Sequence, residues 1–395
     1  MSPHRQDAAK PLPPAYPLAD VTVVALEQAV AGPFCSRQLA DMGARVIKIE
    51  RPDGGDFARG YDQSFHGMSS YFAWLNRGKE SVVLDIKSAE GRQALERLVR
   101  RSDVFLHNLA PGAVERLGLS YDELRAAAPR LIWVGISGYG PDGPDRDRKA
   151  YDMLIQAESG VVSLTGTDEA PAKVGVSVAD ISSGLYAYAS ILAALRNRDR
   201  TGHGDRIDIS MLECLVEWVT PQLYVQLGTG ASPRRAGLRH SMIVPYGAYR
   251  CADGQVMFSI QNEREWQRFC EVVLRDVRLA DHPSYATNAD RLANRVALES
   301  LIENVFHEAS VAAITERLEL AAIANAVVND LSAVAAHAQL AARARWVTVD
   351  SEAGDVPALL PPHNLAGARP RMARVPALGE HTAAVLAELA ELPDA

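Results

Sequence analysis

From Val21 onward the chain alternates short β-branched, apolar runs with segments of helical periodicity. Few folds accommodate that pattern: strands separated by helices return in one direction and pair into a parallel sheet with helices on both faces. The predicted strands are 21–26 (VTVVAL), 45–50 (RVIKIE), 82–86 (VVLDI), 103–108 (DVFLHN) and 131–137 (LIWVGIS). Between them lie PFCSRQLADMG, with Pro33 suited to a first helical turn, AEGRQALERLVRR, and the pair AVERLG and YDELRAAA. At 395 residues the chain exceeds the roughly 250–300 at which a single core stops growing, so a second domain is expected. The composition changes near Gly228, where GTGASPRRAG reads as a connection. Beyond it, AYRC-ADG-QVMFSIQ predicts a hairpin, and EREWQRFCEVVL and RLANRVALESLIENVFHEA predict amphipathic helices. ANAVVN reads as a strand, SAVAAHAQLAARA as a helix, WVTVDS as a strand returning to a sheet, and LGEHTAAVLAELAEL as a last helix docking on the first domain.

Several function classes are disfavoured by what the chain carries. The formal net charge is -8, and the 41 basic residues are spread, which is no footprint for nucleic acid or an anionic membrane. Cys35, Cys214, Cys251 and Cys270 are far apart without a CxxC pair, so neither a disulfide framework nor a zinc knuckle is expected, and a reduced, cytoplasmic protein is. No uncharged run of about 18 residues predicts a membrane span, and the proline-rich start at 1–18 reads as a loose arm. The ten histidines show neither HxxxH nor HExxH spacing, so no metal site is expected. Gly138, Gly140 and Gly143 form a formal GxGxxG after a predicted strand, but Pro141, Pro144 and DRDRK break the helix that a dinucleotide would need. No GxSxG elbow is present.

Carboxylates and scattered cations remain. Arg51, Lys79, Arg116 and Lys149 fall at strand ends or in the loops that follow, where an open parallel sheet receives ligands, so they are candidates for gripping phosphates. The stretch KVGVSVADISSG carries one carboxylate, Asp180, at the start of an apolar helix. Ser177 and Asp180 have capping-box spacing, which makes Asp180 a helix-start residue on spacing alone. A helix N-terminus also favours a nearby anion, which would keep a partly buried Asp180 ionised. Asp152 and Gln156 are candidates for orienting or lining such a site.

Taken together, LEQAVAGPFCSRQLADMGARVIKIERPDGGDFAR, LNRGKESVVLDIK, HNLAPGAVERLG, SGYG, KAYDMLIQAESG, VSVADISSG and LGEHT resemble, in order and spacing, the class III CoA-transferases of the CaiB/BaiF type. That family also holds formyl-CoA transferase and the α-methylacyl-CoA racemases. The resemblance runs from about residue 19 to 390. It implies an α/β fold with a Rossmann-like large domain built on an open parallel sheet, a smaller α+β domain, and an interlocked homodimer. The expected organisation is an arm at 1–18, the large domain at 19–225, the small domain at 226–344, and a segment at 345–395 returning to the large domain.

The resemblance further implies catalysis by Asp180 and CoA binding by Val30, Ala31, Arg51, Lys79, Asn108, Arg116, Lys149 and Tyr151. No permanently bound cofactor or metal is implied; coenzyme A enters as acyl-CoA substrate, with a carboxylic acid as acceptor. The racemase branch carries a histidine where Tyr151 stands, so transfer is favoured over racemisation or epimerisation by α-proton abstraction. A CoA-binding protein without catalysis is the remaining alternative. RHSMIVPYGAYRC replaces the glycine-rich loop of the formyl-CoA type, which speaks against formate. The AVAGPFC and KAYDMLIQAESG versions look most like the branch that uses succinyl-CoA and C5 dicarboxylates such as itaconate, mesaconate or citramalate.

Overall fold

The computed structural model describes residues 16–393, so most of the expected N-terminal arm lies outside the described residues. Residues 16–18 do not hang loose. Leu18 donates its N–H to the Met42 carbonyl at 3.1 Å and packs against the core.

Six strands form one parallel sheet: β1 Thr22–Leu26, β2 Arg45–Glu50, β3 Lys79–Val83, β4 Val104–His107, β5 Ile132–Ser137 and β6 Arg206–Ser210. Their order is β3-β2-β1-β4-β5-β6, the doubly wound arrangement of nucleotide-binding folds. Side chains alternate between two apolar layers, as the pleat requires. Val23, Leu106 and Val134 face one layer with Leu39 and Ile191; Val24, Phe105 and Trp133 face the other with Leu95 and Leu389. β6 was not among the predicted strands, and β3 begins three residues before its predicted start.

The helix Ala31–Asp41 follows β1, with Pro33 in its first turn as expected. It crosses the helix Val178–Thr201 closely, because a Cβ on Gly184 would come within 2.6 Å of the Ala31 carbonyl oxygen. That long helix ends at Gly202, whose φ of 79° is open to glycine at little steric cost. Its length and composition are sufficient to cross a membrane, a point the sequence reading missed. Its buried residues Ala179, Ala187, Ile191 and Leu195 belong to the sheet core.

The chain divides into two compact units. The larger contains the chain up to Val161, then Val174–Thr220 and Leu340–Ala395; the smaller is Val162–Lys173 with Pro221–Gln339. Relative to the expected boundaries, a short insert of the first half joins the smaller unit. Arg235 donates to the Thr167 and Asp168 carbonyls at 2.7 and 3.0 Å, which holds that insert there. The smaller unit has its own aromatic core of Tyr249, Phe258, Trp266, Phe269 and Phe306. The expected hairpin pairs β7 Tyr246–Cys251 with β8 Gly254–Ser259, and β9 Asn325–Val327 adds to β8.

The C-terminal segment belongs to the larger unit. β10 Trp346–Val349 pairs antiparallel with β11 Val356–Leu359 in a separate two-stranded sheet, so WVTVDS does not rejoin the main one. The final helix Thr382–Glu391 docks on β3, as expected. The Val83 N–H donates to Thr382 Oγ1 at 2.9 Å, and the His381 N–H donates to the Ser81 carbonyl at 2.9 Å.

Candidate active site

Strand order reverses between β1 and β4, and ligands in such sheets bind outside the carboxyl ends of the strands at that point. The loop leaving β1 is fixed there by two side chains. Asn108 accepts from Gln28 N–H at 2.9 Å and donates back to the Gln28 carbonyl at 2.8 Å. Asp56 accepts from Ala29 N–H at 2.9 Å. Ala29 has φ 62°, a strained conformation for a residue with a Cβ, and these bonds hold it. Next come Val30 and Ala31, both buried, at the start of their helix. The first intrahelical bond runs from Phe34 N–H to the Val30 carbonyl, so the N–H groups of Ala31 and Gly32 precede it and have no intrahelical acceptor.

Beneath this loop lies a buried ionic cluster. Lys48 donates to Asp56 at 2.7 Å, and Glu27 accepts from Lys79 at 2.7 Å and from Ser36 Oγ at 2.7 Å. Burial alone would raise the Glu27 pKa, but Lys79 and Lys48 bring it below the usual carboxylate range. Lys79, expected to grip CoA, is one of the buried members of this cluster. It sits at the first residue of β3, not after a strand, and its ammonium is wholly buried. Its three donors are spent on Glu27, the Pro33 carbonyl and Asn76, at 2.7, 3.1 and 3.0 Å, leaving none for a phosphate.

Asp180 lies in the first turn of Val178–Thr201, as expected, but the capping box does not form: Ser177 makes no side-chain cap bond. The cap comes from another helix, Asp152–Glu158. Asp152 Oδ1 accepts from Ala179 N–H at 2.8 Å and from Asp180 N–H at 3.4 Å. Asp152 Oδ2 accepts from Gln156, which also receives the Val174 N–H, so Gln156 braces the segment entering the helix. The helix terminus therefore spends its donors on Asp152. Burial first, and the Asp152 charge second, push the Asp180 pKa up to about 7, the reverse of the expected stabilisation of its ionised form.

Of the remaining sequence candidates, Arg51, Arg116, Lys149 and Tyr151 are all exposed. Arg51 lies over the Phe57 ring at 4.1 Å and donates through Nε to the Gly55 carbonyl at 2.7 Å. Tyr151 is 72% exposed and immediately precedes the Asp152–Glu158 helix. Sequence reasoning missed Tyr61. Its phenol pKa is raised by burial and by Asp56, Asp180 and Tyr151, which puts it in the field of Asp180. An exposed tyrosine just beyond GDFARG was its one signal. Among the described residues no group of His, Cys, Asp and Glu is arranged to hold a metal ion.

A doubly wound sheet with a raised-pKa aspartate at the start of a helix packed on the one leaving β1 defines the scaffold, and comparison with known proteins specifies the class. Residues 18–382 match the model of CoA-transferase family III. The chain belongs to that family. It is 36% identical over 383 residues to a succinate–glutarate CoA-transferase of Agrobacterium fabrum, covering 94% of this chain and 96% of that one. It is 37% identical over 291 residues to a succinyl-CoA:mesaconate CoA-transferase of Haloarcula hispanica, covering 71% and 72%. The fold is similar to the crystal structure of a CaiB/BaiF family protein from Brucella suis, with a TM-score of 0.83, 35% identity, and 94% and 99% coverage.

The raised Asp180 pKa has a stability consequence of definite sign. The folded chain holds that proton up to about pH 7, whereas the unfolded reference lets it go near 3.8, so the cost of ionising Asp180 builds as pH rises from about 4 to 7 and is present in full above 7. Asp180→Asn is expected to be more stable than the parent by about 1–3 kcal/mol at pH 8, after allowance for partial exposure. The difference should close as pH falls from 7 towards 4, measured by urea unfolding across that range.

Proposed function

We propose that Asp180 is the nucleophile that carries CoA from donor to acceptor. The observation behind this reading is its placement: a partly buried carboxylate whose pKa is raised to about 7 by burial, in the first turn of a helix packed on the Ala31–Asp41 helix. About half ionised at pH 7, it is nucleophilic enough to attack a thioester and can leave again. Its oxygen attacks the donor carbonyl and CoA thiolate departs, giving a mixed anhydride. The thiolate then attacks the aspartyl carbonyl and expels the donor acid, leaving an aspartyl-CoA thioester. The acceptor carboxylate attacks that thioester and releases the thiolate, which attacks the acceptor carbonyl of the second anhydride and returns Asp180. The thioester energy passes from one acid to the other throughout. Backbone N–H groups at Val30 and Ala31 serve as oxyanion donors. Arg51, Arg116 and Lys149 take CoA phosphates, with Asn108 shaping the loop and Tyr151 beside the acyl group.

The donor is succinyl-CoA and the acceptor a C5 dicarboxylate, itaconate, mesaconate or citramalate. Two relatives support this choice, since their names specify glutarate and mesaconate, both C5 diacids. The working form is an interlocked homodimer, which the exposed Leu185, Tyr186 and Trp218 of the larger unit favour.

Incubation with succinyl-CoA followed by hydroxylamine should mark Asp180 as a hydroxamate in peptide mass spectra, and Asp180→Ala should lose at least about 1000-fold in turnover. Turnover without modification of Asp180 rules the mechanism out. Mass spectrometry of new CoA esters from a panel of acids should show C5 diacids ahead of oxalate, formate and monoacids. Light scattering should give twice 42.7 kDa, and a monomeric mass contradicts the dimer.

A further inference from the structure

Away from Asp180, one buried cluster of the larger unit is electrically unbalanced. Asp41, at the end of the Ala31–Asp41 helix, has a fully buried side chain and faces two guanidiniums. Arg37 donates through NH1 at 2.7 Å, and Arg77 donates through Nε and NH2 at 2.9 and 2.7 Å. Arg37 and Arg77 keep only 5% and 4% of their side chains exposed. One carboxylate thus answers two buried cations, although buried charge is ordinarily matched. The cluster under the β1 loop shows the ordinary case: Lys48, Lys79 and Arg59 stand against Glu27, Glu50 and Asp56.

The chain laid over Asp41 increases the surplus. Arg371 donates its backbone N–H to the Asp41 carbonyl at 2.7 Å, and its half-buried guanidinium has no partner among the described residues. Arg345 lies on the Leu360 and Pro361 carbonyls and on Asn364, all uncharged. His363 stacks on Tyr188 at 6.0 Å, and its pKa is lowered by burial and by Arg37, Arg77 and Arg345 against the pull of Asp41. Burial, opposed by Asp41 and aided by Arg77, brings the Arg37 pKa down to about 10. Among the described residues, Arg37 Nε and His363 Nε2 are buried without a hydrogen-bond partner.

We propose that this cluster is a site for a small oxyanion, a phosphate or a carboxylate, held by Arg37, Arg371 and His363. The anion supplies the missing negative charge and joins two separate stretches, the Ala31–Asp41 helix and the C-terminal segment. The site is distinct from the cations proposed for CoA. Asp41 and Arg77 precede the first residues of β2 and β3, whereas Arg51 follows a strand and Arg116 and Lys149 lie in loops beyond strand ends. It does not depend on the Asp180 mechanism.

The test is thermal unfolding of the full chain at pH 7.5 in sodium phosphate, sodium succinate and sodium chloride at matched ionic strength. Phosphate or succinate should raise the parent Tm by about 2 °C or more over chloride, and whichever does so identifies the anion. The same rise should persist in the Arg51→Ala, Arg116→Ala, Lys149→Ala triple variant. Arg37→Met should lose the response while unfolding in chloride no lower than the parent, because Arg77 alone still matches Asp41. Arg371→Gln, which leaves the Asp41 side-chain pairs intact, should require several-fold more anion for the same shift. Equal parent Tm in all three salts, a rise that survives Arg37→Met, or a rise lost in the triple variant overturns the proposal.

Discussion

The contact between Glu27 and Lys79 underlies the rest of the site. A glutamate placed at the end of a central strand is costly unless cations are buried with it, and here Lys79, Lys48 and Ser36 converge on it from two strands and a helix. Lys48 passes that hold to Asp56, and Asp56 pins the strained Ala29 amide. The position of Val30 and Ala31 is therefore fixed by charges several residues away in three dimensions and far apart in sequence. Removing either member of the Glu27 pair would leave a buried charge unanswered, which makes the arrangement rigid.

The surroundings of Asp180 use electrostatics in the opposite sense. Two carboxylates, Asp152 and Asp180, share one helix start, and only Asp152 receives strong backbone hydrogen bonds there. The donors that would stabilise a negative Asp180 are occupied, so desolvation governs its proton affinity. A carboxylate held in this way is kept at the expense of fold stability.

Much of this was legible in the sequence because the parallel strands are apolar on both faces: VTVVAL, RVIKIE and LIWVGIS stand out against helical flanks. The sixth strand escaped because RIDIS alternates charge with apolar residues, as an edge strand does, with Arg206 paired to Asp208 at 2.8 Å. β3 was placed late because Lys79 and Glu80 look like loop residues, and the burial of Lys79 depends on a partner 52 positions away. Asp180 was found by pattern, and its helix-start position was right. Its electrostatics were not, since spacing cannot reveal that Asp152, 28 residues earlier, takes the cap that Ser177 was expected to supply. Tyr61 was missed for a similar reason: nothing local links it to Asp180.

Among the described residues, the outer edge of β3 meets no neighbouring strand. Its N–H and carbonyl groups are met by Thr382 and His381, about 300 positions further along the chain. On the ribosome, the first three strands emerge long before those residues exist, so through most of synthesis that edge is a bare template for pairing with another chain. The arrival of His381 and Thr382 is what converts an adhesive nascent sheet into a finished one, and a chain stopped before them would keep the sticky edge that they conceal.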